Sequence, residues 1–301
     1  MSKKRGKMNM NNKIDFDEYR ELNRKGLAEF HTHTTYCDGK MSAEEMLRDA
    51  AAKGVKVYGF SGHGYTAFDE GYCMLPEQLD AYEKEVRTLA AKYNSPDKTD
   101  NPNKTGSPDQ TGVKVLCGVE QDCLAGKPDR DWDYVIGSVH YIDCNDLAAG
   151  TGTADTNTAG DHMYSTCCKP NIVTIDETPE MLLDAADRYF GGDFYALIER
   201  FYETAARVCE ATGADIIGHF DLIAKFNRGG ELGGPDNGTA GGPDKADTAG
   251  ALFDENHPRY VAAWQAAADK LLQAGVPFEI NTGGISRGYR TDAYPAKPIR
   301  D

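Results

Sequence analysis

Short apolar runs alternate with longer amphipathic stretches along most of this chain. Runs rich in Val, Ile, Phe or Tyr occupy residues 27–31, 55–61, 113–119, 134–140, 215–219 and 277–281. Each run has the length of a buried strand, and the stretches between the runs have helical spacing of their apolar positions. Strand and helix therefore alternate about six times. This order predicts parallel βα units, arranged either as a barrel or as a doubly wound sheet.

The predicted helices have clear boundary signals. Ser42 and Glu45 have the spacing of a capping box at the start of the first helix, and Gly54 is expected to end it. Further helices are predicted over residues 77–93, from Pro179 with Thr178 as N-cap, over 194–212 before Gly213, and over 258–274 before Gly275.

Three segments interrupt this pattern with a composition typical of loops or insertions. Residues 94–112, 145–161 and 229–250 contain almost no large apolar side chains and are rich in Gly, Asp, Asn and Thr. Such segments bury too little apolar surface to offset the entropy of ordering the chain. The sequence thus predicts a basic, flexible N-terminus over residues 1–26 and one domain over 27–301 that carries these three insertions.

The composition of the chain argues against several classes of function. The chain has 301 residues, of which 40% are hydrophobic and 27% charged, and no apolar run approaches the length of a membrane span. The basic N-terminus has no hydrophobic segment behind it, so we expect a cytoplasmic protein without a membrane partner. The formal net charge of −15 argues against a nucleic-acid partner. An anionic substrate would then need local cations, either metal ions or a few well-placed Arg and Lys side chains.

The eight cysteines contain no CxxC pair. In a cytoplasmic chain this pattern favours free, mostly buried thiols over a disulfide framework.

Side chains that commonly bind metal ions lie at or just after the ends of five consecutive predicted strands. They are His31 and His33 with Asp38, then His63, Glu120, His140, and His219 with Asp221. Any one of them alone is more typical of an ordinary residue at a strand end, but the carboxyl ends of barrel strands converge on one face. Neutral imidazole and carboxylate suit Zn, Mn or Fe, and the number of donors suggests two to three divalent ions, with Glu120 as a possible bridge. His162 and His257 lie outside this pattern and are interpreted as structural or solvent-facing.

Six segments, in this order, carry a family resemblance. They read FHTHTTYCDG, FSGHG, GVEQD, IGSVHYI, GHFDLIAKFN and EINTGGISRGYRTDAYP. The set resembles the polymerase-and-histidinol-phosphatase (PHP) superfamily, and YFGGD at 189–193 is similar to its monofunctional histidinol-phosphatase branch. The resemblance extends from Ala28 to the C-terminus apart from the three insertions. It implies an α/β fold, a distorted (β/α)7 PHP barrel, with a trinuclear metal site.

The resemblance also implies a role for each candidate ligand. His31 and His33 would hold the first ion, Glu120 would bridge the first and second, His140 and His219 would complete the second, and Asp38 and His63 would hold the third. The catalytic water would be bound to metal held by Glu120, His140 and His219. The family adds an Asp-x-His after its seventh strand, whereas this sequence shows six βα units and stops at Asp301 without that motif. The expectation is therefore a truncated family member that lacks the seventh strand.

The implied reaction is metal-dependent hydrolysis of L-histidinol phosphate to L-histidinol and phosphate, in histidine biosynthesis. Lys225, Asn281, Arg287 and Arg290 are candidate substrate contacts, and ordinary surface roles remain an equal alternative for the three cations. Two other functions stay open: a PHP-type phosphoesterase acting on nucleotides, oligonucleotides or phosphotyrosine, and a non-catalytic metal-binding remnant. The partner implied is a small phosphate ester, and the sequence leaves the oligomeric state open.

Overall fold

The computed structural model describes residues 16–94, 112–148, 169, 171–227 and 251–301. The chain divides into two compact units, each with mixed α/β structure. The first comprises residues 1–65, 72–120 and 129–135, and the second comprises 66–71, 121–128 and 136–301. The three predicted insertions lie almost entirely outside the described residues.

The first unit is built on a parallel three-stranded sheet in the order β1-β2-β3. Its strands are β1 (Ala28–Glu29), β2 (Val57–Phe60) and β3 (Lys114–Cys117), and its helices are α1 (Phe16–Arg24), α2 (Ala43–Ala52) and α3 (Pro76–Tyr93). The capping box of α2 is confirmed, because Ser42 accepts a hydrogen bond from the Glu45 amide and Glu45 accepts one from the Ser42 amide. Helix α1 lies inside the segment predicted to be flexible, where Phe16 packs edge-on against Phe30.

Tyr134 lies in the middle of the first unit's core and depends on two glycines. Its side chain is fully buried, and its hydroxyl donates a hydrogen bond to the Phe30 carbonyl at 2.5 Å. A Cβ at Gly59 would lie 2.3 Å from the Tyr134 hydroxyl, and one at Gly118 would lie 2.5 Å from its ring. Glycine is therefore required at both positions for space.

We expect Gly118→Ala to reduce the free energy of unfolding by about 3 kcal/mol, at the upper end of the usual cost of overpacking a core. Chemical denaturation monitored by circular dichroism measures this change. Gly71→Ala is the control, because a Cβ at the exposed Gly71 would meet only the Asp69 side chain, at 3.3 Å. Equal stability of the two variants would contradict this account of the core.

A second sheet has the strand order β4-β5-β8, and a separate antiparallel pair joins β6 to β7. The strands are β4 (Val119–Asp122), β5 (Val135–Ser138), β6 (Tyr141–Asp143), β7 (Ile172–Thr174) and β8 (Ile216–Ile217), and β5 pairs with β8 in parallel. The remaining helices are α4 (Asn145–Ala148), α5 (Pro179–Phe190), α6 (Phe194–Ala205), α7 (Val208–Thr212), α8 (Pro258–Ala274), α9 (Gly283–Ser286) and α10 (Lys297–Arg300). Thr178 caps α5 as predicted, and Gly213 and Gly275 end α7 and α8 in the left-handed conformation.

The YFGGD segment is the junction between α5 and α6. Gly191 ends α5 in the left-handed conformation, and the Asp193 carboxylate caps α6 by accepting hydrogen bonds from the Tyr195 and Ala196 amides. Arg259 of α8 donates to the same carboxylate at 2.7 Å and to Glu199. In this structure the motif therefore links three helices of the second unit.

Several sequence predictions need correction. The predicted strand 113–119 is two strands separated at Gly118, and the predicted helix 194–212 is two helices, α6 and α7. The predicted strand 277–281 forms only isolated bridges, Ile217 with Phe278 and Asn281 with Tyr294. The pair β6 and β7 was not predicted at all. Parallel pairing is confirmed, but the strands described here form no closed barrel.

Candidate metal centre

The two histidines that follow β1 are held in place through Thr32, the residue between them. The Thr32 amide donates to Ser61 Oγ at 3.2 Å, and the Thr32 hydroxyl donates to the Gly59 carbonyl at 2.9 Å. These bonds fix the segment after β1 to the segment after β2. Because alternate residues of an extended chain point to the same side, His31 and His33 project together.

Three imidazoles of the first unit surround a single carboxylate oxygen. Glu120 Oε2 lies 3.2 Å from Nε2 of His31, 3.2 Å from Nε2 of His33 and 3.0 Å from Nδ1 of His63. The Glu120 side chain is 1% exposed. The backbone places it there, since the Glu120 amide donates to the Gly62 carbonyl and the Glu120 carbonyl accepts from Gly64. The sequence prediction that His31, His33, His63 and Glu120 come together is thus matched by the geometry.

Asp38 faces the opposite edges of two of these rings. Its Oδ1 lies 2.7 Å from Nδ1 of His33 and 3.7 Å from Nε2 of His63. Asp38 is the most solvent-accessible member of the group, with 42% of its side chain exposed. His33 and His63 therefore each have one nitrogen near Glu120 and the other nearer Asp38.

The histidines and carboxylates of this group shift each other's pKa values. Burial lowers the pKa of His33, but hydrogen bonds to Asp38, Cys37 and Glu120 outweigh burial and raise the pKa well above its usual value. Burial raises the pKa of Asp38, but hydrogen bonds with His33 and His63 outweigh it and hold the pKa far below its usual value. The cluster therefore favours positive charge close to its carboxylates.

The donors present fit a divalent cation. One ligand atom each from His33, His63 and Glu120 lies within 4.8 Å of the other two, and His33, Cys37 and Asp38 form a second such group. Imidazole nitrogen with carboxylate oxygen is the donor chemistry of Zn, Mn and Fe sites. The structure thus contains candidate metal-binding clusters of His and Glu, as the sequence predicted in outline.

His140 and His219 meet in the second unit, with ring centroids 4.9 Å apart. The His140 amide donates to Asp122 Oδ2 at 2.8 Å, and the His219 amide donates to Glu279 Oε2 at 3.1 Å. Carboxylates thus fix the backbone at both histidines. Glu120 belongs to the first unit, so the predicted joint role of Glu120, His140 and His219 stays a prediction.

Asp176 is a partly buried carboxylate of this region, with 30% of its side chain exposed, and no sequence pattern predicts it. Burial raises its pKa, but Lys225, His140 and His219 outweigh burial and lower the pKa below its usual value. Asp176 follows β7, which contains only three residues, so its strand was too short to be recognised. Asp176 is thus a further candidate for binding a cation.

The predicted substrate contacts occupy different environments. Lys225 binds the carboxylate of Asp176 at 3.2 Å, and Asn281 bridges Glu279 and the Gly283 amide. Arg287 is exposed, whereas Arg290 is 8% exposed and donates to the Ala224 carbonyl. The environment of Arg290 is that of a packing residue, and contact of any of the four with substrate stays a prediction.

Asp221 is expected to make the stability of the protein depend on pH. Burial raises the pKa of this fully buried carboxyl from 3.8 to about 6, although Arg290 and the Ala296 amide oppose the shift. The native state therefore holds the proton more tightly than the unfolded chain. Stability should fall by about 3 kcal/mol as the pH rises from about 4 to about 6, since one pKa unit corresponds to about 1.4 kcal/mol.

We expect Asp221→Asn to remove this fall while keeping an oxygen that can accept from Ala296. Urea unfolding of chelator-treated protein at a series of pH values measures it. Asp129→Asn, whose side chain is 90% exposed, is the control and should follow the parent protein. A parallel pH profile for Asp221→Asn would contradict the assignment.

A comparison with models of known protein families assigns this chain to a family. The PHP domain family matches residues 29–283, which include the candidate ligands of both units. The chain belongs to the PHP domain family. A curated relative of this PHP chain, named "Probable histidinol-phosphatase", comes from Deinococcus radiodurans. It is 27% identical over 216 residues, which cover 67% of this chain and 63% of the relative.

The fold is similar to that of a solved structure. The crystal structure named "putative histidinol phosphatase hisK", from Listeria monocytogenes, superposes with a TM-score of 0.58 and 16% identity. The match covers 91% of this PHP chain and 89% of that structure. Within the described part of the chain, no helix has the length and apolar composition needed to cross a membrane.

Proposed function

We propose that this PHP domain chain is a metal-dependent phosphomonoesterase that hydrolyses L-histidinol phosphate to L-histidinol and phosphate in histidine biosynthesis. The observation that carries the metal dependence is the convergence of three imidazoles on Glu120 Oε2 within 3.2 Å. The names of the relatives from D. radiodurans and L. monocytogenes support the substrate. The chain spans 63% of the length of the curated relative, so the activity of the whole protein is part of the proposal.

The proposal keeps the metal ligands predicted from the sequence, bound to two or three ions of Zn, Mn or Fe. They are His31, His33, Asp38, His63, Glu120, His140 and His219. It also keeps the cytoplasmic location and the distorted (β/α)7 barrel. Divalent ions at such ligands activate water as a nucleophile and neutralise phosphate oxygens.

The residues themselves supply orientation and charge. Glu120 is held by hydrogen bonds of its backbone amide and carbonyl, which fix the position of its main chain. Asp38 holds its carboxylate 2.7 Å from Nδ1 of His33, close enough for both groups to face the same ion. In the second unit, Asp176 holds Lys225, which we propose as a contact for the phosphate ester. Local positive charge at these sites would let a chain of net charge −15 accept an anionic substrate.

Phosphate release from a panel of esters tests the function. L-histidinol phosphate, a nucleoside monophosphate and phosphotyrosine are compared with added Zn²⁺ or Mn²⁺ and with chelator. We expect activity that requires metal and prefers L-histidinol phosphate. Preference for another ester would overturn the substrate, and metal binding without turnover of any ester would support the non-catalytic alternative.

A further inference from the structure

Cys37 adds a sulfur donor to the group around Asp38, and the proposed function does not use it. Its Sγ lies 3.8 Å from Nδ1 of His33. With Asp38, the two residues form a group in which one ligand atom from each lies within 4.8 Å of the others. The group thus combines sulfur, nitrogen and oxygen on six consecutive residues that follow β1.

A tight turn brings Cys37 and Asp38 back onto His33. The amides of Cys37 and Gly39 both donate to the carbonyl of the buried Thr34, at 3.1 Å each. Gly62 leaves room for the sulfur, because a Cβ at that position would lie 3.2 Å from Cys37 Sγ. Cys37 is partly exposed, so the fold positions this residue without burying it completely.

The two nitrogens of His33 can serve two different purposes. A histidine that binds a metal through one nitrogen usually donates its other N–H to a carboxylate. If Nδ1 faces an ion beside Asp38, then Nε2–H can donate to Glu120 Oε2, which lies 3.2 Å away. His31 and His63 then remain as the imidazole donors beside Glu120. A neutral imidazole has a single acceptor nitrogen, so His33 then binds one ion only, through Nδ1.

We propose that Cys37, Asp38 and His33 Nδ1 bind one divalent ion, with Cys37 as a thiolate ligand. The proposal rests on the proposed metal-dependent function and adds a ligand to it. A thiolate favours soft or borderline ions, so this position should prefer Zn²⁺ or Co²⁺ over Mn²⁺. It also makes the sulfur inaccessible to alkylating reagents while an ion is bound.

Cobalt spectroscopy of the full chain tests the proposal without reference to activity. Co²⁺-loaded parent protein is expected to show a thiolate-to-cobalt charge-transfer band in the near ultraviolet, and Cys37→Ser to lack it. Cobalt affinity at this position should fall at least about tenfold. Changing a residue that only supports a metal ligand already lowers affinity by about 10- to 100-fold, and Cys37 is proposed as a ligand itself. Cys209→Ser is the matched control, because Cys209 is also partly exposed and lies in the other unit.

Alkylation of the parent protein gives a second readout that needs no variant. Bound Zn²⁺ should protect Cys37 from iodoacetamide, with modification sites mapped by mass spectrometry, and leave the labelling of Cys209 unchanged. A band that persists in folded Cys37→Ser, or equal labelling of Cys37 with and without Zn²⁺, would overturn the proposal. Cobalt bound without any charge-transfer band overturns the sulfur ligand alone, whereas absence of bound cobalt overturns it together with the proposed metal dependence.

Discussion

Glu120→Gln is expected to weaken metal binding in the first unit by more than about 100-fold. Changing a residue that only supports a metal ligand costs up to about 100-fold in affinity, and Glu120 is proposed as a ligand itself. The carboxylate is 1% exposed and has three imidazole nitrogens within 3.2 Å of one oxygen. The amide has the same shape but no negative charge, so it offsets neither a divalent ion nor a protonated histidine. Isothermal titration with Zn²⁺ and measurement of bound metal after dialysis quantify the loss, and any phosphatase activity should fall with it.

Glu44→Gln is the matched control. Glu44 lies in the first turn of α2, with 47% of its side chain exposed, and contacts only Lys92 among the ion pairs described for it. Both variants lose one carboxylate, so the overall charge changes equally. If Glu120→Gln retained the affinity and metal content of Glu44→Gln, the assignment of Glu120 as the central ligand would be wrong.

The sequence predicts those parts of the molecule that depend on local chemistry. Ser42, Thr178 and Gly275 mark helix ends correctly because capping depends on a few neighbouring residues. His31, His33, His63 and Glu120 could be predicted to meet, because β1, β2 and β3 are parallel. The histidines follow β1 and β2, and Glu120 lies in β4, which begins just after β3. The prediction worked where a side chain's position follows from strand direction alone.

The features that were missed depend on contacts between distant residues. Strands β6 and β7 contain three residues each and pair across a long separation in the sequence. Asp176 follows β7, so its place near Lys225 could not be read from any local pattern. The closed barrel expected from the resemblance likewise depends on pairing between distant strands. Cys37 was interpreted only as a free thiol, since its nearness to His33 depends on the turn from Thr34 to Gly39.

That turn depends on the absence of a side chain at position 39. A Cβ on Gly39 would lie 2.3 Å from the His33 carbonyl oxygen and 2.6 Å from the Thr34 amide nitrogen. Both atoms belong to the backbone, so neither can move away by a change of rotamer. Any residue other than glycine must therefore open the turn and separate Asp38 from His33.

We expect Gly39→Ala to reduce the free energy of unfolding by about 3 kcal/mol, the upper end of the cost of overpacking. Metal affinity of the folded protein should also fall by about 10- to 100-fold, because Asp38 no longer lies beside Nδ1 of His33. Urea unfolding and Zn²⁺ titration well below the unfolding midpoint separate the two effects. Gly71→Ala, at an exposed glycine of the second unit, should leave both quantities close to those of the parent protein. Loss of stability with unchanged metal affinity would show that the turn supports folding only, and that Asp38 does not need its contact with His33 to bind an ion.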